Sequence, residues 1–139
     1  MTNRIIQAII DSDAIFALTL TSDANHHRAI RIKKDHPDCR YFLSHFVIGE
    51  AATVLSRKMD KATADGFLQG LPEQRFHVVP VDKKVMALAE MFFLRQITKN
   101  TSFVDCVNMA TAKRLGIDTV FSFDRVYERN GFTLLSADS

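Results

Sequence analysis

Two cysteines, five glycines, three prolines and no tryptophan stand among the 139 residues. Cys39 and Cys106 show no CxxC spacing, so no disulfide framework or thiolate zinc site is written here, and free thiols in a reducing compartment are expected. So few glycines and prolines leave no linker and no low-complexity tract, which predicts one domain over residues 1–139. No apolar run approaches the length of a membrane span, and MTNRIIQAIID meets an acid too early for a signal peptide, so a cytoplasmic protein is expected. GxGxxG, GxxxxGK[ST] and GxSxG are all missing, which removes the usual support for dinucleotide, P-loop and serine-hydrolase sites and predicts no nucleotide cofactor. The histidines, His26, His27, His36, His45 and His77, form no HExxH or similar ligand pattern and read as surface or capping residues. A net charge of +2 demands no polyanionic partner.

What is present is an alternation of short apolar runs and helical patterns. Residues 4–10 read as a buried strand, followed by helices over Ala14–Leu20 and Ala24–Lys34, the second capped by Asp23. Tyr41–Leu43 is a second strand, and a helix runs from Ser44 through HFVIGEAATVLSRK, with another over Ala62–Leu71 before Pro72. Phe76–Val81 is the third strand; Lys83–Ile97 and Phe103–Leu115 are helices, the latter stopped by Gly116. Thr119–Phe123 and Phe132–Leu135 complete the set. Strands separated by helices require crossovers, so the fold class is α/β, with a central, mostly parallel five-stranded sheet covered on both faces.

In such sheets ligands bind beyond the carboxyl ends of the strands. Asp11 follows the first strand and Asp124 follows TVFSF, whereas Asp118 precedes its strand and belongs to the opposite edge. Each of the first two also suits a turn or a helix cap. Glu50 shares a helix stripe with Phe46, Val47 and Val54, where an unpaired carboxylate costs roughly several kcal/mol. A buried salt bridge or a cation site would relieve that cost. Asp105 sits in the first turn of its helix, where the dipole alone favours an acid, and Asn108 shares its face at i+3 as a candidate supporting group. Four oxygen-bearing side chains from separated segments would concentrate negative charge, and hard divalent ions such as Mg²⁺ or Mn²⁺, not zinc, suit such a donor set.

The Asp in IIDSDAIFAL, the Glu in SHFVIGEAATVL, the Asp in TSFVDCVNMATAKRLG and the final DTVFSFD together resemble the PIN domain, and most closely its small bacterial VapC-type toxins. The resemblance covers almost the whole chain. It implies a three-layer α/β/α sandwich and a metal-dependent endoribonuclease acting on structured RNA, leaving 5′-phosphate and 3′-hydroxyl ends. Asp11, Glu50, Asp105 and Asp124 are then the catalytic acids and ligands of one or two Mg²⁺ or Mn²⁺ ions, with Ser122 beside them. Asp13 stands where relatives often carry Asn or Ser; an extra acid there would strengthen metal binding or cap the helix starting at Ala14, and the cap is the favoured expectation. A small antitoxin that shields the site and a homodimer are the implied partners; the apolar MALAEMFFLR helix is either that dimer face or a central core helix buried on more than one side.

For RNA-backbone contact the candidates are Arg28, Arg31, Lys33 and Lys34, then Arg57, Lys58 and Lys61, then Arg125 and Arg129, each of which is equally an ordinary solvated charge. Three other functions compete: a phosphoaspartate receiver, which would need a Lys after the last strand where Ser136 and Ala137 stand; a non-catalytic RNA- or protein-binding scaffold; and an RNA-maturation nuclease without an antitoxin.

Overall fold

The computed structural model describes residues 5–137. Arg4, the first residue of the expected opening strand, lies outside them. Gln7–Ile10 (β1) is the middle strand of a sheet whose order is β3-β2-β1-β4-β5, with Arg40–Ser44 (β2), His77–Val79 (β3), Thr119–Phe121 (β4) and Thr133–Leu134 (β5). All four pairings are parallel. That order differs from the 2-1-3-4-5 arrangement of receiver domains, which removes the signalling reading.

The sequence of β1 explains its place. Ala8, Ile9 and Ile10 are all fully buried, as a strand covered on both faces requires. Ala8 and Ile10 pack with Ser12–Thr19 (α1), His26–Asp35 (α2) and His45–Lys58 (α3), while Ile9 packs with Lys83–Arg95 (α6), Phe103–Leu115 (α7) and Val126–Arg129 (α8). β4 repeats the alternation, with Phe121 in the first layer and Val120 in the second. The two helical layers and the sheet form the expected α/β/α sandwich. Lys61–Gln69 (α4) covers the outer side of α3 through Ala64 and Leu55, and the short Leu71–Gln74 (α5) follows it.

Several boundaries shift for local reasons. Asp23 caps nothing; its Oδ1 accepts from the Asn25 amide in a turn, and α2 starts at His26. Asp60 caps α4 at Thr63, and Pro72 sits in the first turn of α5, where a missing N–H costs nothing. α6 stops at Arg95 rather than Ile97. Gly116 ends α7 in the left-handed region at φ 68°, a conformation that needs glycine.

The α6 helix is not buried on several sides. Val85, Ala89 and Phe92 face the core, while Met91, Phe93 and Leu94 are exposed, Leu94 by 83% and the following Ile97 by 99%. The apolar sequence therefore covers one core-facing side and leaves a second apolar side open.

Candidate active site

β1 and β4 are neighbours, yet the chain leaves β1 toward β2 and reaches β4 only after crossing the sheet, so the crevice between their carboxyl ends is a topological switch point. The Asp11 amide donates to the Phe121 carbonyl at 3.1 Å, which closes the end of this strand pair. Asp11, α1, the Ser122–Asp124 segment, the first turn of α7 and α8 all converge at that edge.

Asp11 is buried and is the N-cap of α1, its Oδ1 accepting from the Ser12 amide at 2.7 Å. Its Oδ2 accepts from the Tyr127 hydroxyl at 2.5 Å. The same hydroxyl lies 3.3 Å from Asp105 Oδ1 and accepts from Asn108 Nδ2 at 3.0 Å. Asp105 is fixed from its other side by a capping box, in which the Ser102 hydroxyl accepts from the Asp105 amide and Asp105 Oδ2 accepts from the Ser102 amide. Asn108, one turn along α7, is buried beside it as its i+3 spacing implies.

Glu50 joins through Ser12, whose hydroxyl donates to Glu50 Oε1 at 2.5 Å and lies 3.5 Å from Asp11 Oδ1. The carboxylate is half-buried at the margin of the Val47, Ile48, Ala51 and Leu55 stripe, not inside it, and its hydrogen-bond partner is the Ser12 hydroxyl rather than a basic side chain.

Asp13 corrects the capping expectation. The cap of α1 is Asp11, and Asp13 lies inside the first turn, where its Oδ1 accepts from the Ala14 amide at 2.8 Å. Its Oδ2 reaches across the crevice to accept from the Ser122 hydroxyl at 2.9 Å and the Phe123 amide at 2.8 Å. Ser122 Oγ in turn accepts from the Asp124 amide at 3.1 Å, and Asp124 Oδ1 accepts from the Val126 amide at 2.9 Å, just before the N-cap Arg125 of α8. This pull on residues 122–123 explains why β4 ends at Phe121, two residues earlier than its apolar run suggests.

Charge crowding follows from this geometry. Burial first, then Asp13 and then Asp105, push the Asp11 carboxyl up to about 7, against the opposing hydrogen bonds from Tyr127 and Ser12. Asp13 and Asp105 are raised too, each chiefly by burial with Asp124 adding to it. Asp124 itself is exposed, so the cluster has a buried floor and an open side.

All the charged groups offer oxygen, with no His or Cys among them, and burial, with crowding added, raises carboxyl pKa values that a cation would lower. The acids thus fit a hard divalent ion in donor type and charge. Among the described residues no three His, Cys, Asp or Glu side chains are arranged to hold one ion, and the carboxyl oxygens accept hydrogen bonds from Ser12, Ser102, Tyr127, Ser122 and backbone amides. The fit is one of chemistry and not of a closed cage.

Of the basic candidates, Arg28 lies over Phe123, the residue between Ser122 and Asp124, its guanidinium 5.0 Å from the ring centroid. Arg31 pairs with Asp35 at 4.0 Å and Arg125 with Glu128 at 3.5 Å, while Lys58 lies over Phe16. Two residues of the site, Ser12 and Tyr127, were not legible as such. Serine beside a strand-end acid reads as a turn residue, and tyrosine in RVYERN reads as an ordinary core aromatic; the one available signal is that Tyr127 falls one helical turn beyond Asp124.

The comparisons with known proteins agree with this architecture. VapC20 of Mycobacterium tuberculosis, described as a sarcin–ricin loop cleaving toxin, superposes with a TM-score of 0.83 at 25% identity, over 91% of this chain and 96% of its own. FitAcB of Neisseria gonorrhoeae gives 0.66 at 18% identity, over 93% and 96%. A DNA-bound VapBC complex of Salmonella typhimurium gives 0.65 at 12%, over 94% and 97%. No curated protein matches the sequence. The family model for the PIN domain matches residues 8–133, nearly the whole described chain with all of its clustered acids, and the protein therefore belongs to the PIN domain family.

Proposed function

We propose that this PIN domain is a Mg²⁺- or Mn²⁺-dependent endoribonuclease, the toxin of a toxin–antitoxin pair. The observation that carries the reading is the convergence of Asp11, Asp105, Asp13 and Asp124 at one sheet edge, where burial and then neighbouring carboxylates raise the first three, joined by Glu50 through Ser12. The acids also cap helices and tie the turn before Asp124, but neutral Asn or Ser side chains would accept the same hydrogen bonds without crowding like charges, so a scaffold module has no need of carboxylates here.

Asp11, Glu50, Asp105 and Asp124 are the residues that would hold one or two ions. Bound there, such an ion lowers the pKa of a coordinated water and offsets charge on the phosphate and on the leaving oxygen. The protein supplies the rest. Ser12 and Tyr127 orient two of the acids, Ser102 fixes a third, and the Asp13–Ser122 bond sets the turn from which Asp124 projects. Arg28, stacked on Phe123, offers a cation to an RNA phosphate beside the acids, a contact that positions the strand without reading its sequence. Arg31, Lys58 and Arg125 are weaker backbone candidates, since each is engaged elsewhere.

The partner half of the proposal leans on the solved relatives, several of which are VapBC or FitAB-type complexes. A small antitoxin would shield the acid edge. The homodimer is supported by the open side of α6, where Met91, Phe93 and Leu94 with Ile97 expose apolar surface that a second copy would cover. A cytoplasmic setting suits the two free thiols, and among the described residues no helix is long and apolar enough to cross a membrane. An RNA-maturation nuclease shares the same chemistry; co-purification of a short DNA-binding protein with the chain supports the toxin reading, and its consistent absence at native expression levels contradicts it. Nuclease activity is tested by divalent-ion-dependent cleavage of purified RNAs, with the Asp11→Asn variant as control.

A further inference from the structure

Tyr127 is fully buried, and its hydroxyl on α8 reaches Asp11, just past β1, and both Asp105 and Asn108 on α7. The three contacts of that oxygen are not equivalent. The Asn108 Nδ2 group can only donate, so toward Asn108 the phenol must accept. Its single proton is thereby directed away from Asn108 and toward the carboxylates, and the 2.5 Å separation from Asp11 Oδ2, against 3.3 Å from Asp105 Oδ1, assigns it to Asp11. Asn108 thus sets the rotation of the hydroxyl, and the hydroxyl sets the orientation of Asp11 while keeping Asp105 within reach.

The chemical type of this group matters as much as its place. Lysine or arginine at the same position would pair with both carboxylates and compete with a cation for their charge. A phenol orients them by one neutral donor and leaves each carboxylate's charge available. A structural tyrosine anchoring α8 needs no contact with two acids; one carbonyl would serve.

We propose that Tyr127, set by Asn108, is a positioning residue that presents Asp11 and Asp105 jointly to a divalent cation. This rests on the metal-dependent reading of the site, and direct ion binding separates the two. Mn²⁺ is titrated into the purified, RNA-free protein and the unbound ion is followed by its room-temperature EPR signal, for wild type, Asp105→Asn, Tyr127→Phe and Asn108→Ala, each checked for native circular dichroism. The expected result is saturable binding by wild type that Asp105→Asn weakens, and a loss of about 10- to 100-fold in affinity for Tyr127→Phe, the range found when groups that orient metal ligands are removed. Asn108→Ala, which keeps the phenol but frees its rotation, is expected to lose affinity in the same direction by a smaller factor.

If Tyr127→Phe and Asn108→Ala both bind Mn²⁺ within twofold of wild type while Asp105→Asn does not, the positioning role is overturned and the metal site stands. Should wild type bind no Mn²⁺, or bind it equally after Asp105→Asn, the metal reading fails and takes this proposal with it. If Tyr127→Phe does not fold, Asn108→Ala decides: weakened binding supports the role, and unchanged binding overturns it.

Discussion

The Ser122 hydroxyl donates to Asp13 Oδ2 at 2.9 Å, joining the start of α1 to the end of β4 across 109 residues of sequence. The Phe123 amide donates to the same oxygen at 2.8 Å, so one carboxylate fixes both residues that precede Asp124. Asp13→Ala leaves these donors without their charged acceptor and is expected to cost about 2 kcal/mol, with Asp13→Asn milder because one acceptor oxygen remains. Urea unfolding checks the stability, and cleavage assays should show a loss in kcat larger than any change in KM. Equal stability for Asp13→Ala and wild type would count against this coupling.

Acidity in the crevice makes stability depend on pH in an uncommon direction. Asp11 is raised from an ordinary value of 3.8 to about 7, so between those values the folded chain binds more protons than the unfolded one. Without divalent ions, stability from this group is full below about pH 4 and declines as pH rises toward 7; Asp13 and Asp105 act in the same sense. The contribution is on the order of 2–4 kcal/mol. Asp11→Asn should flatten the decline in a series of urea titrations from pH 4.5 to 8, and saturating Mg²⁺ should oppose it. A wild-type stability that rises across that window for reasons traceable to Asp11 contradicts the assignment.

Arg28 lies over Phe123 as a flat cation on a ring, a contact that lysine reproduces poorly. Arg28→Ala is expected to raise KM for RNA while leaving kcat near wild type, and to lower the salt slope of RNA binding by about 1, the signature of one lost phosphate contact. Arg28→Lys should recover the charge but not all of the affinity. Fluorescence anisotropy at several salt concentrations reads both effects.

Among the described residues Leu94 and Ile97 are the most exposed large apolar side chains, at 83% and 99%. Covering them by a second copy predicts a light-scattering mass of twice the chain at micromolar concentration. Leu94→Asp is expected to give a monomer with unchanged helix content; a wild type that elutes only as a monomer removes the dimer.

The four acids were legible because their signals are positional. Asp11 and Asp124 end apolar strands, and Asp105 opens a capped helix with Asn108 one turn on. Glu50 was legible for a reason that proved partly mistaken: it borders the buried stripe of α3 instead of facing into it. What the sequence does not show is which groups join the acids. Ser12 and Tyr127 acquire their roles only when α1, α3, α7 and α8 are packed together, since their partners stand 38 and 116 residues away. Asp13 misled because a short-range cap and a long-range tie use the same side chain. The α6 helix misled because an all-round apolar pattern specifies burial without saying whether the chain itself or another molecule provides it.

The central claim is that these acids cut RNA with a divalent ion. It is tested most directly by incubating the purified, partner-free chain with a panel of tRNAs and ribosomal RNA fragments in Mg²⁺ or Mn²⁺, beside Asp11→Asn and an EDTA control. The account predicts cleavage of a particular RNA at a defined position, lost with EDTA and reduced at least about 100-fold in Asp11→Asn, since even groups that only orient metal ligands are worth 10- to 100-fold. Equal cutting by both proteins, or cutting that survives EDTA, would contradict it.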